Sequence, residues 1–160
     1  MGRDGHDMLD DLKIGLAAVQ HPSAEQLQDA KQAGRRILVV DHDENTLIAL
    51  KRLLGEASYD IATARGGLKA LQLLCQGTFD FVLLDDNLPD MSGEEVMRQV
   101  RCVRTGTPVV VMQSVPASDD LAVRYVPFGA CFFINRCDPE AIAELVCDYF
   151  SRTRSLCAHF

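Results

Sequence analysis

Basic charge is scarce in this sequence. Sixteen Lys and Arg stand against 23 Asp and Glu, for a formal net charge of -7 and a pI near 5.0. A nucleic-acid-binding surface needs clustered Lys and Arg, so nucleic acid is set aside as a partner. Long hydrophobic runs are also missing. None approaches the roughly 20 residues of a membrane span, and the N-terminus shows no signal-peptide apolar region. The expectation is therefore a cytoplasmic protein with no membrane contact. Met1-Gly2 opens no myristoylation motif, because His6 stands where Ser or Thr is wanted. No CxxC occurs among the six cysteines, Cys75, Cys102, Cys131, Cys137, Cys147 and Cys157. Each falls in or beside an apolar pattern and reads as a buried, reduced thiol. A zinc site needs grouped Cys and His ligands, and Cys157 with His159 is the only close pair. Internal repeats and low-complexity tracts are absent.

What is present suits one domain with a short appendage: 160 residues, 48% hydrophobic and 24% charged. Residues 1–34 stand apart. Met8, Leu12, Leu16 and Val19 recur at helical spacing, His21-Pro22-Ser23 breaks the segment, and Ser23 to Gln26 reads as a capping box for a short polar helix that Gly34 ends. This is a helical extension or linker, serving either as a loosely packed adaptor or as an arm that pairs with a partner. Residues 35–153 form the main domain and 154–160 a tail.

From Arg35 onward strands and helices alternate. The apolar run from Phe81 to Leu84 reads as a strand buried on both faces, and it stops at Asp85 and Asp86. Pro89 and Gly93 punctuate the loop behind it, and Ser92 with Glu95 reads as a capping box. The other strands are Ile37 to Val40, Tyr59 to Thr63, Val109 to Met112 and Cys131 to Ile134. Helices begin near Asn45 (apolar Leu47, Leu50, Leu54), after Gly66-Gly67 (Leu68, Leu71, Leu74), after Ser92 (Val96, Val100, Val103), at Asp119 (a short one to Tyr125) and at Pro139. The last carries Ile142, Leu145, Val146, Tyr149 and Phe150 as its apolar stripe and Asp138 as its cap.

Five strands alternating with five helices specify an α/β fold. The expected form is a five-stranded parallel sheet, doubly wound in the flavodoxin-like order 2-1-3-4-5, with the N-terminal helical extension outside it. Ligands of such sheets bind beyond the strand C-termini, at the switch point between strands 1 and 3. That edge gathers Asp41, His42, Asp85, Gln113 and Arg136. Neighbouring carboxylates invite a cation, and an Arg can hold a phosphoryl-like anion.

The stretch from Ile37 to about Phe150 resembles the receiver domain of two-component response regulators. Ile37-Leu38-Val39-Val40-Asp41 carries the resemblance, with the run from Phe79 through Asp85-Asp86-Asn87-Leu88-Pro89-Asp90-Met91-Ser92-Gly93. Pro108 to Met112 and Gly129-Ala130 support it. The resemblance implies that Asp85 accepts a phosphoryl group from a histidine kinase or phosphotransfer protein. It implies magnesium held by Asp41, Asp85 and the backbone carbonyl of Asn87, with His42 at the position of a usual acid. It places Gln113, followed by Ser114, where the family has a Ser or Thr. Arg136 stands at the Lys position and Phe133 at the aromatic switch position.

His42 in place of an acid removes an anionic oxygen ligand, so magnesium is expected to be held weakly or not at all. Gln113 cannot make the short hydroxyl contact. The expectation is an atypical response-regulator receiver domain acting through protein-protein contacts with a downstream partner, or with a second copy as a homodimer. It is not an enzyme, beyond self-phosphorylation from a phosphodonor and slow autodephosphorylation. No output domain is expected after the last helix. The face built by the fourth helix, fifth strand and last helix is the expected contact surface, and Tyr125 and Phe128 belong either to it or to core and edge packing. The alternative is a phosphorylation-independent pseudo-receiver binding module. A remote one is a haloacid-dehalogenase-like phosphatase, on the strength of Asp41-His42-Asp43.

Overall fold

A computed structural model of the chain describes residues 34–103, 106–114, 123–129 and 132–157. The N-terminal helical extension expected over 1–34 lies outside the described residues except for Gly34.

Five strands form one sheet: β1 (Arg36–Val40), β2 (Asp60–Ala64), β3 (Phe81–Asp85), β4 (Val109–Gln113) and β5 (Phe132–Asn135). Their order is β2-β1-β3-β4-β5 and every pair is parallel. The expected doubly wound order is therefore the observed one. Helices α1 (Glu44–Glu56), α2 (Gly67–Gln76), α3 (Gly93–Val103) and α4 (Pro139–Cys157) flank the sheet. A helical turn at 123–125 runs into a 3-10 turn, Val126–Phe128. The short helix expected over 119–125 is described only in that last part.

Side chains alternate along each strand, and the two faces need two covers. Ile37 and Val39 of β1, with Phe81 and Leu83 of β3, pack against Leu47, Leu50 and Leu54 of α1 and Ile142, Val146 and Phe150 of α4. Leu38, Val40, Val82 and Leu84 face the other way, onto Ala70 and Leu74 of α2 and Val96, Met97 and Val100 of α3. Such double coverage explains why β3 and β4 carry uninterrupted apolar residues, all of them buried. The edge strand β2 is mostly half-buried, which fits its weaker hydrophobic run.

Helix starts decide how the loops sit. Asp43 caps α1: Oδ1 accepts the Asn45 N–H at 3.0 Å, and Oδ2 accepts the Thr46 hydroxyl at 3.3 Å. Asp138 caps α4 through the Ala141 N–H at 3.0 Å. Ser92 Oγ accepts the Glu95 N–H at 3.2 Å, as the capping-box spacing predicts. Helix α2 has no side-chain cap of its own, because Gly66 precedes it. Asp90 supplies the acceptor from the loop after β3, taking the N–H groups of Gly67 and Leu68 at 2.8 and 2.9 Å. Those backbone hydrogen bonds, that from Leu68 foremost, hold the Asp90 carboxyl below its usual value. A Cβ on Gly66 would stand 2.8 Å from Asp90 Oδ1, so the clamp needs glycine there.

Two expectations about single residues are corrected. Leu68 is 66% exposed rather than core. Leu74 is buried and Leu71 packs against the same core as expected, but the first turn turns Gly67 inward, close under Met91 and Val96, which leaves Leu68 outside. Cys147 is buried as expected, whereas Cys75, Cys102 and Cys137 are exposed. For Cys75 and Cys102, flanking apolar residues mark an amphipathic helix but do not say on which side of it a cysteine falls, and Cys137 lies in the turn after β5.

Candidate functional site: an acidic pocket at the switch point

The carboxyl ends of β1 and β3 are neighbours in the sheet, and each ends in an aspartate. Asp41 follows Val40, and its backbone N–H still bonds Ala64 of β2 at 3.0 Å. Asp85 is the last residue of β3 and lies opposite Met112 of β4. Both are buried, at 0% and 1% exposure. The chain fixes one oxygen of each by a local turn: Asp41 Oδ1 accepts the Asp43 N–H at 2.8 Å, and Asp85 Oδ1 accepts the Asn87 N–H at 3.2 Å. Asn87 itself is held by an antiparallel bridge to Ser92 across the loop.

The second oxygens face the centre of the pocket. His42 Nδ1 lies 2.6 Å from Asp85 Oδ2 and 3.7 Å from Asp41 Oδ1. Arg136 enters from the end of β5, its backbone N–H anchored on Gln113 O at 2.8 Å. Its Nη1 donates to Asp85 Oδ2 at 3.2 Å. Its Nε lies 3.8 Å from Asp41 Oδ2 and its Nη2 lies 3.6 Å from Asp43 Oδ2. Burial pushes the Asp41 carboxyl above its usual value, and the Asp85 charge adds to this. The Asp43 N–H, Arg136 and His42 oppose the rise.

Asp41, His42, Asp85, Gln113 and Arg136, expected together from the sequence, thus do share one edge. Gln113 ends β4, is 5% exposed, and its Oε1 has no hydrogen-bond partner. Ser114 beside it is exposed. Phe133 pairs with Val111 along the strand backbone, and its side chain lies outside the described residues, as does that of Phe128.

For Tyr125 the packing reading is the one observed. It is fully buried, so it packs in the core rather than on a contact surface. Its hydroxyl donates to Asp86, the residue after Asp85, and burial pushes its phenol pKa well up. Arg124 joins this group, with its Nη2 3.5 Å from Asp86 Oδ1 and its Nε on Glu94. The sequence held no sign of this link, since the two residues are 39 positions apart, on the loop after β3 and in the connection between β4 and β5.

Asp41, His42 and Asp85 each offer a donor atom, all within 4.8 Å of one another. Asp41 Oδ2 is buried without a hydrogen bond. Both facts suit a positive charge. A resident magnesium ion does not fit the arrangement, however. Magnesium prefers oxygen ligands in near-octahedral order. Here the free oxygen of Asp85 is taken by an imidazole and a guanidinium. Asp43 and Asp86, the acids that could replace the missing ligand, are committed to the α1 cap and to Tyr125.

The parallel 2-1-3-4-5 sheet with an acidic pocket at its switch point defines a doubly wound, flavodoxin-like α/β domain. The chain belongs to the response regulator receiver domain family, which it matches over residues 37–146. Members of that family are generally non-enzymatic signalling domains that bind magnesium at an acidic pocket. Two-component response regulator ORR21 of Oryza sativa subsp. indica is 33% identical over 114 residues, covering 70% of this chain and 16% of that protein. Cell cycle response regulator CtrA of Brucella ovis is 33% identical over 101 residues, covering 63% of this chain and 43% of that protein. The chain thus spans less than half the length of these relatives. The crystal structure of Vibrio cholerae chemotaxis protein CheY4 superposes with a TM-score of 0.67 at 25% identity, covering 71% of this chain and 97% of that one. Among the described residues, no helix is long and apolar enough to cross a membrane.

Proposed function

We propose that this chain is an atypical receiver in two-component phosphorelay signalling, with Asp85 as its phosphoacceptor and only weak switching on phosphorylation. The observation that carries this reading is the Asp85 carboxylate, buried at the end of β3 with Arg136 on its outer oxygen. In the reaction one Asp85 oxygen attacks phosphorus in line as the donor's bond to phosphorus breaks. The donor, a phosphohistidine of a kinase or phosphotransfer protein, leaves with the electron pair, and an acyl phosphate forms. Arg136 supplies positive charge for the phosphoryl oxygens. We assign no step to a metal ion. The chain is not an enzyme in this reading, apart from self-phosphorylation from a small donor and slow loss of the phosphoryl group. The expected place is the cytoplasm, with residues 35–153 as the receiver unit and output through a protein partner or a second copy.

Weak switching follows from Gln113. A ligand shifts a two-state equilibrium only by the difference in its contacts with the two states. Gln113 has no hydroxyl to follow a phosphoryl oxygen, and Phe133 has no phenol to report burial. The phosphorylation-independent binding module is the limiting form of this behaviour. The family match gives the dehalogenase-like phosphatase no support.

The test treats wild type, Asp85→Asn and Asp85→Ala with a small-molecule phosphodonor and reads intact mass and partner affinity. A mass adduct on wild type alone is expected, with affinity changing less than about tenfold, or 1.4 kcal/mol. No adduct overturns phosphoacceptance. A larger donor-dependent change confined to wild type shows an ordinary phospho-switch.

A further inference from the structure

We propose that Arg136 is the resident cation of the acidic pocket, taking the charge-balancing place of a divalent metal and barring magnesium from it. Three nitrogens of one guanidinium each face a different acid: Nε towards Asp41 Oδ2 at 3.8 Å, Nη1 to Asp85 Oδ2 at 3.2 Å and Nη2 towards Asp43 Oδ2 at 3.6 Å. Nη1 also lies 3.4 Å from His42 Nδ1. A planar fork can serve three carboxylates at once, whereas the compact ammonium of a lysine is a point charge. The Arg136 side chain is only 12% exposed, and the Asp41 and Asp85 side chains are 0% and 1% exposed.

Buried carboxylates need a counter-charge, and among the described Lys and Arg residues this guanidinium is the one that reaches both, whereas His42 beside it carries charge only when protonated. Its position is set by the backbone rather than left to a free side chain. Arg136 N–H bonds Gln113 O at 2.8 Å, and the Cys137 N–H bonds Asn135 Oδ1 at 2.9 Å, which fixes the turn that follows β5. A magnesium ion would need Asp41 Oδ2 and Asp85 Oδ2, the two oxygens that Arg136 faces. Entry therefore means displacing the guanidinium and leaving it without its acids. Asp41 Oδ2 is buried and accepts no hydrogen bond, so the Arg136 charge 3.8 Å away is what balances it.

The inference rests on reading this edge as a receiver pocket, but its test uses neither phosphodonor nor partner, so either reading can fail alone. Magnesium chloride is titrated into the full chain, and into Arg136→Ala and Arg136→Lys, with binding followed by amide NMR shifts and by thermal unfolding. Arg136→Ala is expected to bind magnesium at least about tenfold more tightly than wild type, a difference of 1.4 kcal/mol. Its unfolding midpoint should rise with magnesium while that of wild type stays still. Should Arg136→Ala fail to fold, Arg136→Lys is read in its place, with the same expectation. Wild type binding magnesium as tightly as the variant, or a folded variant that gains less than tenfold, overturns the proposal.

Discussion

At the scale of single residues, the pocket turns on two positions beside Asp85. His42 offers nitrogen where a hard cation wants anionic oxygen. His42→Asp should therefore tighten magnesium binding by about tenfold or more, read by calorimetric titration. No improvement would mean that Arg136 on the Asp41 and Asp85 oxygens, and not the missing oxygen ligand, is what limits magnesium. Asp41 makes a prediction about pH. Burial raises its folded pKa above the value near 3.8 that the unfolded chain keeps. Between the two values the folded state holds the proton longer, so this group's contribution to stability falls as pH rises through that window. Asp41→Asn, which removes the buried charge beside Asp85, Asp43, His42 and Arg136, should raise stability at neutral pH. The gap to wild type should close below pH 3.8, where both side chains are neutral. Urea unfolding at the two pH values checks this, and a less stable variant at neutral pH would mean that the Arg136 pairing outweighs burial.

At the scale of elements, the caps show where the sequence is well matched to its fold and where it is not. Helix α1 ends in a Schellman turn: the Tyr59 N–H reaches Leu54 O at 3.2 Å and the Ser58 N–H reaches Gly55 O at 2.8 Å. Such a turn wants glycine at its left-handed residue. Here Ser58 holds φ 66 there, and Gly55 sits three positions earlier inside the helix. Ser58→Gly should stabilise the protein by about 0.5–1 kcal/mol, since the left-handed region costs a side-chain-bearing residue that much or more. Thermal unfolding reads the gain. No gain would mean that the unfolded chain's added freedom cancels the relief of strain.

At the scale of the molecule, one sheet separates two cores. Leu74 of α2 belongs to one and Ile142 of α4 to the other. Leu74→Ala should cost about 2–5 kcal/mol and Ile142→Val about 0.5–1.5 kcal/mol. Sharing no partners across the sheet, the two should add to within about 0.5 kcal/mol in a double variant measured by urea unfolding. A larger departure would show that the sheet transmits strain from one face to the other.

The sequence alone determined the strand order and the contents of the pocket edge. Uninterrupted apolar runs ending in Asp41 and Asp85, with helical repeats between them, admit few right-handed parallel topologies, and all of the expected edge residues follow from that order. Short-range chemistry was legible as well. The caps at Ser92 and Asp138 lie within three residues of the N–H groups they serve. Tertiary structure decided whatever depends on which side of a helix or loop faces inward. It exposed Leu68 and three cysteines, buried Tyr125 against Asp86, and carried Asp90 across to cap α2. It also turned Arg136 from a charge at a sheet edge into a fork shared by three acids. Periodicity along the chain fixes which residues point the same way. Only the packing of distant segments fixes what they meet.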